Sequence, residues 1–88
     1  MDIKLPTLTI QPSWTAESQL VKCQEELDEI KEAIAAHDDV NAIREAFDLI
    51  QTGHTLLQIM DESYDGHLNV AKFLAEHEAK LKRKGYME

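Results

Sequence analysis

The stretch Val40–Met60, VNAIREAFDLIQTGHTLLQIM, decides the fold. Ile43, Phe47, Ile50, His54 and Leu57 recur at alternating steps of four and three, which sets them on one face of a helix. Ala42, Ala46, Leu49, Gly53, Leu56 and Met60 widen the apolar surface beyond half the circumference. A helix this apolar needs more than one packing partner. Two other helices from an 88-residue chain would barely cover it, so the pattern predicts a subunit interface.

Outward from that helix the chain reads as helical on both sides. Toward the N-terminus a helix is predicted from about Thr15 to about Ala36, with Pro12, Ser13 and Thr15 as stop and cap. Ala16, Leu20, Cys23, Leu27, Ile30 and Ile34 form its apolar stripe. HDDVN, residues 37–41, is a short polar connection that suits an antiparallel helix turn. Toward the C-terminus DESYDGH, residues 61–67, reads as a turn punctuated by Asp65-Gly66. A third helix follows from about Asn69, a good N-cap, to about Lys84, with Gly85 at C′. Val70, Phe73, Leu74, His77 and Leu81 make its expected buried face. Lys80, Lys82, Arg83 and Lys84 crowd its end, where positive charge suits the helix dipole. Residues 1–14 differ: Ile3, Leu5, Leu8 and Ile10 are interrupted by Pro6, which predicts an extended arm or short strand lying across a neighbour. The expected architecture is all-α, a three-helix protomer (residues 15–88) with an N-terminal arm (residues 1–14), assembled into a helical bundle.

Composition narrows the function classes. Eighty-eight residues make one small domain with a marginal core, and a lone cysteine, Cys23, allows no internal disulfide. Stability is therefore expected from oligomerisation. A single thiol fits a reducing cytoplasm. No apolar run of about 18 residues is present, so no membrane span is expected. The N-terminus lacks the basic-then-apolar order of a signal peptide. The net charge of −8 argues against nucleic acid as a partner. It leaves phosphate substrates open, because carboxylates hold magnesium and magnesium holds phosphates.

The acids themselves are patterned. Glu26 and Glu29 stand three apart on one helix, and Glu45 and Asp48 three apart on the next. In an antiparallel pair both couples lie near the connecting turn and face each other. Four converging carboxylates repel and raise each other's pKa, a cost that a divalent cation removes. Spacing alone does not decide the matter. The chain holds five acid-x-x-acid pairs, against about three expected by chance. Placement adds weight: Glu26 borders the apolar stripe of its helix, and Glu45 sits beside Leu49 and Leu56.

QEELDEI (residues 24–30) followed by EAFD (residues 45–48) resembles the E-E-x-x-E … E-x-x-D pattern of MazG-like, all-α nucleoside triphosphate pyrophosphohydrolases. That superfamily includes dimeric dUTPases and phosphoribosyl-ATP pyrophosphohydrolases. EHEAKLKRKGY, residues 76–86, resembles the ending of short MazG-like proteins from bacteria and phages. The likeness runs from about Ser18 to Tyr86. It implies that Glu26, Glu29, Glu45 and Asp48 bind magnesium, or manganese in its place. It implies hydrolysis of a nucleoside triphosphate to the monophosphate and pyrophosphate, with Glu29 or Glu26 orienting or deprotonating the attacking water. Lys80, Lys82, Arg83 or Lys84, from the same or a neighbouring subunit of a dimer or tetramer, would meet the leaving-group charge. The chain departs from the pattern in lacking a helix before the first acidic one, and in carrying Lys84 rather than arginine before Gly85.

Other residues have two readings each. Trp14 can stack on a nucleobase or staple the start of the first helix to the core. Gln19 can reach a base edge and Lys22 a phosphate, yet a solvated face suits both better. Glu25 is a further ligand or simply exposed. His54 reads as a core histidine, and Cys23 as a core residue rather than a nucleophile. A different class of function also fits: a non-catalytic helical interaction module whose acids only keep it soluble.

Overall fold

The computed structural model describes residues 1–63, 67 and 69–88. Three helices follow the arm: α1, Ala16–Ala35; α2, Asp39–Ser63; α3, Val70–Arg83. No strand occurs among the described residues. The fold is all-α, and among the described residues no helix is long and apolar enough to cross a membrane. Helix α2 runs three residues past the expected end, so Asp61, Glu62 and Ser63 are helical; Asp65-Gly66 lies outside the described residues.

Local capping explains the helix limits. Thr15 is the N-cap of α1, and its hydroxyl accepts from the Ser18 amide while the Ser18 hydroxyl accepts from the Thr15 amide. This reciprocal box satisfies two of the donors that a helix start leaves unpaired. At the other end His37 adopts a left-handed φ of 55°, its amide donating to Ile34 and that of Asp38 to Ala33. That is a Schellman closure. Asp38 then caps α2, its Oδ1 accepting from the Asn41 amide at 3.2 Å. One residue thus ends α1 and starts α2, which forces the two helices back on each other as a tight hairpin. Helix α3 begins at Asn69 as expected and closes over Gly85, φ 75°, with Gly85 and Tyr86 donating to Lys82 and Leu81.

The packing turns the main α2 stripe outward and leaves the expected α1 stripe beside the seam, with Ala16, Cys23 and Ile30 half-buried. Between α1 and α2 the buried residues are Gln19, Glu26 and Ala33 on one side and Thr52, Thr55 and Ile59 on the other. The threonine hydroxyls donate to the carbonyls of Asp48 and Gln51 in their own helix, so they enter the seam already satisfied. Ala33 and the two threonines are small and let the helices come close. Apart from Ile59, the large apolar side chains of the described residues are at most half-buried: Leu20, Leu27 and Ile34 on α1 are 58, 51 and 60 % exposed. Ile43, Phe47, Ile50, His54 and Leu57 on α2 are exposed too, so His54 is not a core histidine. On α3, Phe73, Leu74 and His77 are exposed, and only Val70 and Leu81 are partly covered. One partner helix covers one face, and within this chain α1 and α2 spend that face on each other.

The arm lies along its own α2. The side-chain amides of Gln51 and Gln58 donate to the carbonyls of Pro6 at 3.0 Å and Leu8 at 2.7 Å. A turn at Gln11–Trp14, closed by Trp14 N–H to Gln11 at 2.9 Å, then sends the chain into α1. The resulting surface is 7074 Å², where a compact 10.0 kDa monomer exposes about 5,200 Å². The radius of gyration is 15.1 Å, against about 12 Å for a compact chain of this length.

The two turn residues make opposite predictions. His37→Gly removes a side chain from the left-handed region and should stabilise by about 0.5–1 kcal/mol. Asp38→Ala removes the cap of α2 and should destabilise by about 1 kcal/mol. Urea unfolding of both variants checks the pair.

Candidate metal centre

Helix spacing and the tight turn together build the site. Glu26 and Glu29 lie on successive turns of α1, and Glu45 lies across from them on α2 because the hairpin reverses at His37-Asp38. One carboxylate oxygen from each of Glu26, Glu29 and Glu45 falls within 4.8 Å of the others. Glu26 is 8 % exposed, Glu45 half-buried and Glu29 exposed, so the cluster climbs from the seam to the surface. Asp48 is exposed and stands outside this tight group of three, yet its charge still acts on Glu29.

Electrostatics follow from that proximity. The Glu29 carboxyl is held above its usual 4.5, first by a shared hydrogen bond with Glu45 and by repulsion from the Glu45 charge. Desolvation and Asp48 push the same way, while a hydrogen bond with Glu26 pulls it down. Glu45 Oε2 is buried with no donor to satisfy it. A buried carboxylate oxygen without a donor is costly. The three groups offer only oxygen, the donor that magnesium and calcium take. The residues therefore fit a hard divalent cation.

The other candidate residues are spread along the hairpin. Gln19 is buried in the seam rather than solvated, and Lys22 and Glu25 are exposed. Trp14 is half-buried and borders a cleft with Ile59, Met60 and Ser63 at the far end of the hairpin. Ala16, beside it, lies ten residues before Glu26, about 15 Å of helix. That position suits the staple and does not bring the indole to the carboxylates. Lys80, Lys82, Arg83 and Lys84 are exposed on α3 and its cap. Cys23 is a free, half-buried thiol. The sequence reading gave Thr52 and Thr55 no role; their hydroxyl bonds to their own helix are what allow them to be buried. It also missed Gln51 and Gln58, which hold the arm.

Compared with known proteins, the chain matches no family model, no curated sequence and no solved structure.

Glu29 binds a proton more readily folded than unfolded, so its contribution to stability is full below 4.5 and is lost as the pH rises through the raised folded value. In chelator-treated protein, Glu29→Gln should therefore raise Tm at pH 7, and the gain should fade below pH 4.5. Thermal melts across pH read this directly; a gain that stays constant down to low pH contradicts it.

Proposed function

We propose that the chain is a magnesium-dependent nucleoside triphosphate pyrophosphohydrolase, converting a nucleoside or deoxynucleoside triphosphate to the monophosphate and pyrophosphate. The observation that carries the reading is the convergence of Glu26, Glu29 and Glu45 across two helices, with Glu45 Oε2 buried and undonated. The resemblance of QEELDEI, EAFD and the α3 tail to MazG-like pyrophosphohydrolases supports it further.

Glu26 and Glu45, fixed by the seam, would hold the ion; Asp48 borders the site and joins through its charge. When bound, the ion neutralises triphosphate charge and lowers the pKa of a water. Glu29 is the exposed member of the cluster, so it faces whatever enters from solvent. Its raised carboxyl pKa suits a group that orients water and accepts its proton. Glu26, nine-tenths buried beneath it, is the alternative base. The Gln19 amide is sealed in the seam, and Trp14 is remote, so neither reads the base within one chain.

The exposed stripes favour assembly into a homodimer or homotetramer. The excess over a compact monomer, about 1,800 Å² per chain, matches what an obligate dimer buries. The same exposed leucines and isoleucines favour a second reading, a helical interaction module without catalysis.

Release of pyrophosphate from a panel of canonical, deoxy and modified triphosphates separates the two. The enzyme reading expects release that requires magnesium and falls at least a hundredfold in Glu45→Gln, about 2.7 kcal/mol of transition-state stabilisation. It also expects millimolar magnesium to raise the Tm of the wild type more than that of Glu26→Gln. An unmoved Tm with no release leaves the interaction module.

A further inference from the structure

Charge is divided unevenly along this chain. Residues 16–63, the hairpin, hold twelve of the 17 Asp and Glu and only three of the nine Lys and Arg. Residues 70–88, α3 and its tail, hold five of those nine bases against three acids. Next to the carboxylate cluster a cleft of about 380 Å³ is lined by Glu29, Glu32, Asp38 and Glu45 together with Ala33, Ala36 and Asn41. Among its described lining residues there is no Lys or Arg, and Glu45 Oε2 behind it has no donor. A negative cleft of this kind calls for cations that its own walls lack.

Helix α3 carries those cations and leaves the hairpin early. Val70 and Leu74 face Leu57, Gln58 and Asp61 across a second cleft, and among the described residues the only extensive helix pair is α1 with α2. At about 100° per residue, Val70, Phe73, Leu74, His77 and Leu81 share one face of α3. Lys80 and Lys84 lie along one edge of that face, while Lys82 and Arg83 both stand more than about 100° from its centre, on opposite sides. Phe73 and Leu74 are 55 and 57 % exposed. A surface that buries this apolar face therefore also receives Lys80 and Lys84. The area left open in each chain, about 1,800 Å², fits a second copy as the occupant.

We propose that the last turn of α3 from one copy docks at the acidic cleft of another, setting Lys80 and Lys84 against Glu29, Glu32, Asp38 and Glu45. Opposite charges that meet across a partly desolvated interface fix its register and speed its formation. The cleft is then complete only in the oligomer. Its use in phosphate chemistry rests on the pyrophosphohydrolase reading: bases brought by the partner would face the leaving pyrophosphate, which the acids of one chain alone would repel.

Labelled and unlabelled full-length chains are unfolded together, refolded and treated with a carbodiimide, which joins lysine amines to carboxylates in direct contact. The expected products are peptides linking Lys80 or Lys84 to Glu29, Glu32, Asp38 or Glu45 with one half labelled and the other not. Lys82 should be absent from them, and yields should fall in 1 M salt. Links within a single isotope only, links through Lys82 as often as through Lys84, or a protein that stays monomeric overturn the proposal. Pyrophosphate release is measured separately on the same preparation. Mixed-isotope links without release refute the enzyme reading and leave the docking intact; release without such links does the reverse.

Discussion

Like-charge repulsion in the α1–α2 seam is the constraint on which the rest depends. A hairpin closed by a single shared capping residue, Asp38, has no freedom to slide its helices apart near the turn. One carboxylate oxygen from each of Glu26, Glu29 and Glu45 is thereby brought within 4.8 Å of the others. Small residues and self-satisfied threonines further along keep the helices close and prevent relief by separation. The strain has two outlets: a proton on Glu29 or a cation among the three. The geometry of the α1–α2 seam thus leaves three carboxylates where added positive charge would offset their repulsion.

That arrangement also explains why large apolar side chains face outward. The inner face of α1 is given to Gln19, Glu26 and Ala33, so Leu20, Leu27 and Ile34 must look elsewhere. On α2 the acidic face and the Ile43, Phe47, Ile50 stripe point in nearly opposite directions around the helix. Assembly through the stripes therefore need not cover the carboxylates of the same chain. A largely polar inner seam and an apolar outer surface reverse the usual order of a helical hairpin, and the reversal lets the outside be covered while the acidic site of the same chain stays open.

Much of this was legible from residues alone, for reasons that are local. Thr15, Asn69 and Gly85 mark helix limits because capping depends on a few neighbours. The meeting of Glu26 and Glu29 with Glu45 followed from spacing and a short turn. Which stripe faces inward was not legible, because hydrophobicity ranks faces by affinity for any partner and cannot say which partner is in reach. Gln19 shows this most plainly: its amide reads as solvated until α2 is laid over it. The arm was expected on a neighbour and lies on its own α2, since its fixings are main-chain carbonyls and leave no mark in a side-chain pattern. Asp48 was placed with the other three by spacing, and it stands beside them rather than among them.

The grip of Gln51 and Gln58 on that arm has a consequence of its own. Both amides grasp backbone oxygens, those of Pro6 and Leu8, and every amino acid carries such an oxygen. The tether thus specifies spacing and direction while remaining blind to side-chain identity. Leading segments of quite different spelling can be threaded along the same rail, provided the distance to the Gln11–Trp14 bend is kept.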